Sequence, residues 1–451
     1  MMNERSEFSS KIGFILAAAG SAVGLGNIWR FPYLAAKYGG GLFVLIYIFF
    51  ITTFGYAIMT SEIAIGRKTR LSPIGAYESL DKRYKFLGVI AVVVAALIVP
   101  YYSVIGGWII KYLAVFLTGG AFLAAQDGFF ADFITSPLEP VLWQALFVLI
   151  AAGVVFKGIK DGIERANRIL MPVLIVLSLG IGAYAMTLPG AVEGLKYYMI
   201  PDFSRFSIEG VLAALGQMFY SLSLAMGIMI TYGSYLNKND NIKKSVKQIE
   251  VFDSGVAILA GFMIVPAVFA FSGGSQEALS AGPGLMFITL PKVFDSMAFS
   301  TIIGSAFFMM VLFAAITSGI SLMEVVVSTI CDKYGMKRNK AVVLTTIFVI
   351  IMGVPSSLGN GVWSGFTILD LAILDFFDFI TNAVLMPVGA LLMCVFIGYV
   401  LKADVILNEM QLESDLKSRR FYTFMIKYVA PLFIVAVLLS SILSTFGVIS
   451  I

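Results

Sequence analysis

The feature that most constrains this fold is an apolar run from about Ile12 to Ala36, which is long enough to cross a bilayer but is poor helix material in its middle. Gly20, Gly24 and Gly26 each cost about 1 kcal/mol relative to alanine in a helix interior. Because hydrocarbon cannot satisfy free backbone groups, an interruption here must face protein or a water-filled cavity. The run therefore predicts a broken membrane helix, whose free carbonyl groups suit a cation and whose free N–H groups suit a carboxylate. A close-packed face between straight helices is the alternative for the Gly20 to Gly24 spacing.

Composition places this run in a polytopic membrane protein. The 451 residues are 59% hydrophobic and only 13% charged, and the mean hydropathy is +0.94. A soluble domain cannot bury so much apolar surface. Hydropathy predicts eleven spans, near residues 11–37, 41–67, 86–118, 139–157, 166–188, 208–236, 242–271, 295–331, 340–356, 366–401 and 421–447.

The sequence contains no histidine, which argues against an enzyme. A zinc hydrolase of the H-E-x-x-H type and a Ser-His or Cys-His nucleophile are excluded, and no G-x-S-x-G motif is present. Cys331 and Cys394 form no metal-binding or disulfide pattern. We therefore expect no catalytic residues. The net charge of +4 requires no nucleic-acid partner, because the sidedness of the basic residues explains it better.

Basic residues are distributed unevenly between the two sides of the predicted spans. Most of them fall on one set of alternating segments, whereas the other set holds only Lys37, Lys196, Arg205 and Lys292. Since positive residues are retained in the cytoplasm, this distribution places the N-terminus there. With eleven spans the C-terminus is extracellular, and we expect a multi-pass protein of the cell (cytoplasmic) membrane.

A second interruption, Tyr220 to Gly227, falls in the sixth predicted span, about 200 residues after the first. Paired interruptions at corresponding positions predict two inverted five-helix repeats, residues 8–188 and 206–401. An eleventh helix at 420–448 completes a single domain of residues 1–451. Ser221 and Ser223 lie in the interruption, and their alternative role is ordinary hydrogen bonding to a helix carbonyl.

The sequences around both interruptions closely resemble those of a known family. GLGNIWRFPY (24–33), followed by YGGG (38–41), resembles the first-helix signature of the neurotransmitter:sodium symporter family, and YSLS (220–223) and TYGSY (231–235) resemble its sixth helix. The resemblance covers nearly the whole chain and ends after the eleventh span. It implies an all-α polytopic protein of the leucine-transporter fold, with 11 transmembrane helices, of which helices 1 and 6 are broken mid-membrane. It also implies a transporter that carries amino acids into the cell with sodium by alternating access.

The resemblance implies two coupling sodium ions and no other cofactor. The first ion would be held by the carbonyl of Ala22, the side chains of Asn27, Ser221 and Asp253, and the substrate carboxylate. The second ion would be held by the carbonyls of Gly20, Val23 and Ala314 with the hydroxyls of Thr317 and Ser318. Because the substrate itself binds the first ion, each is expected to raise the affinity of the other. The alternative for Asp253 is a structural pairing with a lysine or arginine.

The resemblance also implies a central substrate site. The substrate-binding residues would be Ala22, Leu25, Gly26, Ile98, Tyr102, Tyr220, Ser221, Ser223, Met226, Ser318 and Leu322. The N–H groups of Leu25 and Gly26 and the Tyr102 hydroxyl would bind the carboxylate, while the carbonyls of Ala22 and Tyr220 would bind the ammonium group. No acidic or basic residue lies in the set, so hydrophobic L-amino acids, aliphatic and aromatic, are the expected substrates.

Charged residues would form the gates and a brace. The outer gate would be Arg30 with Asp378, and the inner gate Arg5 with Asp332. In the resembled family the glutamate at position 62 accepts the free N–H groups of both broken helices, although an interfacial position beside Arg67 is an alternative for Glu62. The alternative for Asp378, with Asp375 on the same helix face, is a hydrated helix end.

The residue at position 253 bears on whether transport requires chloride. Animal relatives have a neutral asparagine there and bind chloride, whereas this chain has Asp253 and an apolar Ala257. We expect Asp253 to supply the compensating negative charge, so that transport is independent of chloride.

Other functions stay open at this point. They are a proton-coupled or exchange transporter of the same fold, a non-translocating amino-acid sensor, and a channel. The hydroxyls of Thr317 and Ser318 argue against the first, because sodium-independent relatives often place a cation there. Paired gates argue against the other two. The expected partners are an amino acid and the lipid bilayer, and the expected state is a monomer or weak homodimer.

Overall fold

The computed structural model describes residues 6–272, 283–410 and 416–448. Across these residues the regular structure is helical, and β-pairing is limited to the isolated bridges Gly40–Pro201 and Ile368–Leu371. Nine helices in this part of the chain are long and apolar enough to cross a membrane, and we number them in the predicted order. They are span 2 (Gly41–Thr69), span 3 (Lys82–Leu117), span 4 (Glu139–Phe156), span 5 (Ile159–Ala185), span 7 (Ile242–Ser272), span 8 (Ser300–Tyr334), span 9 (Arg338–Leu358), span 10 (Ile373–Leu401) and span 11 (Ser418–Thr445).

Span 1 is a pair of helices, span 1a (Lys11–Ala22) and span 1b (Gly26–Lys37), bent by 58°. The chain leaves the helix at Val23, whose ψ of 103° is extended. Asn27 Oδ1 accepts a 3.0 Å hydrogen bond from the Gly24 N–H, which satisfies one donor that the break releases. With span 1 counted once, up to ten spans in the described ranges have membrane-crossing length.

The sixth predicted span consists of two shorter helices, span 6a (Ile208–Ser221) and span 6b (Ile228–Gly233). Between them Ser223, Ala225 and Gly227 have positive φ angles of 52°, 59° and 73°. A non-glycine residue in this region is strained, so surrounding contacts must hold the segment. The prediction that helices 1 and 6 are both broken is confirmed.

Short helices connect or flank the spans. They are Pro73–Leu80, Ala121–Ala124, Phe129–Thr135, Ala191–Met199, Phe203–Arg205, Leu285–Thr289, Leu290–Asp295 and Ala403–Glu409. The boundaries of the two repeats, residues 8–188 and 206–401, and of the last helix, residues 420–448, stay predictions.

Close packing of small residues surrounds the broken helices. Gly66 of span 2 lies so near span 6b that a methyl group there would overlap the Ile230 carbonyl, and Gly233 is similarly close to the Ile63 backbone. Span 8 packs along span 3 and also contacts span 1a. At the periphery, apolar side chains such as Leu432 of span 11 are exposed, and so many outward apolar side chains are stable against lipid rather than water.

Candidate functional site

A cavity lies between the two interruptions, and spans 3 and 8 complete its wall. Its lining residues are Ser21, Ala22, Gly24, Leu25, Gly26, Asn27, Ile98, Tyr102, Tyr220, Ser221, Ser223, Met226, Ile228, Ser318 and Leu322. Every residue that the sequence predicts for substrate binding is among them. None of the lining residues within the described ranges carries a charged side chain, and Ile98, Met226 and Leu322 contribute apolar surface.

The polar part of the cavity is formed by the start of span 1b and by Tyr102. Leu25 caps this helix and Gly26 is its first residue, and the first N–H groups of a helix have no intrahelical acceptor. The buried Tyr102 hydroxyl lies beside the Leu25 N–H. A side chain on Gly26 would overlap the Tyr220 ring, so this position has room for glycine alone. Clustered donors at a helix N-terminus fit a carboxylate.

Four polar side chains from spans 1b, 2, 6a and 7 meet beside the cavity, and we call Asn27, Tyr47, Ser221 and Asp253 the Asp253 cluster. Asn27 Nδ2 donates to Ser221 Oγ at 3.0 Å and to Asp253 Oδ1 at 2.8 Å. Ser221 Oγ lies 2.9 Å from both carboxylate oxygens of Asp253. The Tyr47 hydroxyl lies 3.0 Å from Ser221 Oγ and 3.1 Å from Asp253 Oδ2. The structure therefore brings together the three side chains predicted for the first sodium ion, beside Ala22.

Asp253 is completely buried and is surrounded by neutral donors. Within the described ranges it forms no ion pair with a lysine or arginine, which was the alternative pairing. A buried carboxylate without a nearby cation is strongly disfavoured. The Asp253 cluster is thus suited to hold a cation.

A second group of oxygen atoms lies where span 1a meets span 8, and we call Gly20, Val23, Ala314, Thr317 and Ser318 the Thr317 cluster. Ser318 Oγ lies 3.3 Å from the Val23 carbonyl oxygen, and Thr317 Oγ1 lies 3.0 Å from the Ala314 carbonyl oxygen. A methyl group on Gly20 would lie 3.3 Å from Thr317 Cβ. The structure brings together all the residues predicted for the second sodium ion. Their neutral oxygen atoms are ligands that hard cations prefer.

Comparison with known proteins identifies the family. The sequence pattern of the Sodium:neurotransmitter symporter family matches residues 5–123 and 135–448. The chain belongs to this symporter family. An uncharacterized sodium-dependent transporter of Bacillus subtilis is 38% identical, and the match covers 97% of each chain. Another from Haemophilus influenzae is 34% identical, over 97% of this chain and 98% of its own. The crystal structure of MhsT in complex with L-phenylalanine shares 40% identity and a TM-score of 0.87, covering 97% of this chain and 100% of MhsT.

The predictions of the family, the fold and a non-enzymatic function are confirmed. The symporter is a sodium-dependent, multi-pass membrane transporter with the fold of MhsT, the leucine-transporter fold.

Glu62 of the symporter contacts the interruption of span 6. It is buried, and its Oε1 accepts a 2.8 Å hydrogen bond from the Ala225 N–H, within the segment of positive φ. Arg67 pairs with Glu409 at 2.7 Å instead of with Glu62. Across the described residues no hydrogen bond joins Glu62 to span 1, and its Oε2 has no partner. Glu62 therefore braces one of the two predicted interruptions in this structure.

The predicted outer gate residues of the symporter line one cavity without forming a direct ion pair among the described residues. The Arg30 guanidinium lies 5.5 Å from the centre of the Tyr220 ring. Asp378 accepts hydrogen bonds from Asn382 Nδ2 at 2.6 Å and from the Tyr101 hydroxyl at 3.3 Å. Asp378 is exposed to this cavity, so the hydrated helix end is compatible with the structure too.

Of the predicted inner gate, Arg5 lies outside the described residues. Asp332 Oδ2 accepts a 2.7 Å hydrogen bond from the Ser72 N–H. Near the start of span 1a, the Phe8 ring packs edge-to-face on Tyr232 and Tyr235, at 5.8 Å and 6.2 Å between centres. The residues before span 1a are thus joined by aromatic contacts to span 6b and to the residues that follow it.

Sequence analysis missed Glu164, which lies at the same end on span 5. Its carboxylate accepts a 2.7 Å hydrogen bond from the Ser9 N–H and pairs with Arg168 at 2.6 Å. Glu164 is buried, so it ties the residues before span 1a to span 5. In the sequence, Glu164 stands beside Arg165 just before the predicted start of span 5, and no pattern there would have revealed this contact.

Proposed function

We propose that this chain is a sodium-coupled symporter that carries hydrophobic L-amino acids, aliphatic and aromatic, into the cell by alternating access. The observation that carries the proposal is a cavity between two helix breaks, with Ile98, Met226 and Leu322 in its wall and no charged residue in its lining among the described parts of the chain. A charged substrate side chain would be left there without a counter-charge, whereas an apolar one would be buried favourably. MhsT, which was crystallised with L-phenylalanine, supports the same substrate class. The flexible Met226 side chain adapts the pocket to different shapes.

The amino-acid backbone binds the helix ends. Its carboxylate accepts from the N–H groups of Leu25 and Gly26 and from the Tyr102 hydroxyl. Its ammonium group donates to the carbonyls of Ala22 and Tyr220. These groups all line the cavity, which supports the assignment.

Two sodium ions drive transport. The first binds the Ala22 carbonyl, Asn27, Ser221, Asp253 and the substrate carboxylate, so that ion and substrate stabilise each other. The second binds the Thr317 cluster and holds span 1a against span 8. Because Asp253 already supplies a negative charge, the cycle needs no chloride.

Access alternates between an outer gate of Arg30 and Asp378 and an inner gate of Arg5 and Asp332. The N-terminus is cytoplasmic and the C-terminus extracellular, as the basic residues predict. The protein works in the cell membrane as a monomer or weak homodimer.

Uptake by purified protein in liposomes tests this function. We expect L-phenylalanine to accumulate when sodium is outside and choline inside, and unlabelled hydrophobic amino acids to compete while aspartate and lysine do not. Accumulation driven equally well by a proton gradient without sodium would favour the proton-coupled alternative. Sodium-dependent binding without accumulation would favour a sensor, and competition by charged amino acids would contradict the substrate class.

A further inference from the structure

Asn167 of span 5 has a buried amide oxygen whose surroundings point to a ligand. The side chain is completely buried. Its Nδ2 donates to the Ile163 carbonyl at 2.9 Å, which fixes the direction of the amide. Its Oδ1 has no hydrogen-bond partner among the described residues. A buried acceptor without a partner is uncommon, because nothing offsets the loss of its hydration.

This oxygen is directed at the Thr317 cluster. A methyl group on Gly20 would overlap Asn167 Oδ1, and the same methyl group would lie 3.3 Å from Thr317 Cβ. Spans 1a, 5 and 8 contact one another in pairs here. The unpartnered oxygen therefore faces the place where two of the proposed ligands of the second sodium ion lie.

We propose that Asn167 is a further polar residue of the second sodium site, with its Oδ1 supplying an oxygen to the ion. This inference rests on the proposed function. An amide oxygen is a neutral, hard ligand of the same kind as the carbonyl and hydroxyl oxygens of the cluster. The ion would satisfy the buried oxygen, and it would hold span 1a to span 5 as well as to span 8. Gly20 must then lack a side chain so that the amide can approach.

Sodium titrations of the purified full-length protein test this role, with choline keeping the ionic strength constant. Two readouts are used: equilibrium binding of L-phenylalanine, and the sodium-induced rise in unfolding temperature without amino acid. The variants are Asn167→Ala, Asn167→Asp and Gly20→Ala. Ser178→Ala is the matched control, because Ser178 is a buried polar residue of the same span whose hydroxyl donates to the Leu174 carbonyl at 2.8 Å.

We expect Asn167→Ala to raise the half-saturating sodium concentration by about tenfold, as loss of supporting ligands does at metal sites. Binding of L-phenylalanine at saturating sodium should be unchanged. Gly20→Ala should act in the same direction, since its methyl group displaces the amide. Asn167→Asp should lower the half-saturating concentration, because a carboxylate attracts the cation more strongly than an amide. Ser178→Ala should match the wild type.

Unchanged sodium dependence in Asn167→Ala and Asn167→Asp would overturn the proposal, and Asn167 would then be a packing residue whatever its effect on unfolding temperature. A shift in Ser178→Ala as large as that in Asn167→Ala would also overturn it. If Asn167→Ala does not fold, the half-saturating sodium concentrations of Asn167→Asp and Gly20→Ala test the proposal in its place. A wild-type protein without any response to sodium contradicts the proposed function itself, and that result is read before any variant is compared.

Discussion

The Asp253 cluster and the Thr317 cluster border the same cavity, but they are built from different chemistry. In the Asp253 cluster, side chains from three spans converge on the carboxylate of a fourth, and Asn27 Nδ2 and Ser221 Oγ lie within 2.9 Å of its oxygens. The Thr317 cluster has no charged member. Its hydroxyls contact backbone carbonyls, as in the 3.1 Å hydrogen bond from Ser318 Oγ to the Ser21 carbonyl.

The difference lies in what holds each geometry. The Asp253 cluster is a side-chain network that carries its own charge, so it is preorganised for a cation. The Thr317 cluster takes carbonyls from the end of span 1a, so its geometry depends on where span 1a lies against span 8. Removing one side-chain group should therefore lower sodium affinity strongly at the Asp253 cluster and moderately at the Thr317 cluster. Loss of a contact that positions span 1a should weaken sodium binding at the Thr317 cluster more than at the Asp253 cluster.

The largest effect is expected from Asp253→Ala. A carboxylate and a cation about 4 Å apart attract by about 4 kcal/mol at an effective dielectric constant of about 20, so sodium affinity should fall by at least about 100-fold. Sodium-dependent binding of L-phenylalanine measures this loss.

Asp253→Asn keeps a hydrogen-bonding amide and should lose most of the sodium affinity as well. Glu209→Gln is the control, because Glu209 is an exposed glutamate at the start of span 6a. Wild-type sodium dependence in Asp253→Asn would mean that the cluster needs no charge.

Thr317→Val should have a smaller effect. It removes one neutral oxygen and keeps the shape of the side chain, so the half-saturating sodium concentration should rise by about tenfold. Thr329→Val is a matched control, because Thr329 is buried on the same span and its hydroxyl also donates to a carbonyl, that of Val325 at 2.7 Å. A loss as large as that of Asp253→Ala would contradict the difference between the clusters.

Glu164→Gln should have a still smaller effect on sodium affinity. We expect it to weaken binding of the second sodium ion. The substitution keeps the shape of a side chain that holds Ser9 to span 5 but removes its charge. Weaker positioning of span 1a should raise the half-saturating sodium concentration by roughly threefold, as expected for one weakened hydrogen bond. Glu193→Gln, an exposed glutamate elsewhere, should change nothing. If Glu164→Gln leaves sodium binding unchanged while faster amide exchange reports a looser span 1a, the Thr317 cluster does not depend on that contact.

Much of this arrangement was predictable because short stretches of the sequence determine it. Glycine and polar residues inside apolar runs indicated both interruptions, and the resemblance assigned residues to the cavity. Tyr47, Glu164 and Asn167 were not predicted, since a lone tyrosine in an apolar span, or a glutamate and an asparagine near a loop, has no distinctive pattern. Their roles arise from packing between spans far apart in the chain. Packing also separated Glu62 from Arg67, which are five residues apart but contact different partners.

The smallest expected effect is none: replacing chloride by gluconate should leave the sodium-driven uptake of L-phenylalanine into liposomes unchanged. Asp253 brings a negative charge to the cluster, and the nearby Ala257 is completely buried and offers no further charge. A mobile anion would therefore add a second negative charge beside a buried carboxylate, which repulsion opposes. A collapse of uptake in gluconate would mean that Asp253 does not act as the charged partner of the first ion. In that case the charge of Asp253 would not help to hold the first ion. The Asp253 cluster and the Thr317 cluster would then differ only in their hydrogen bonds.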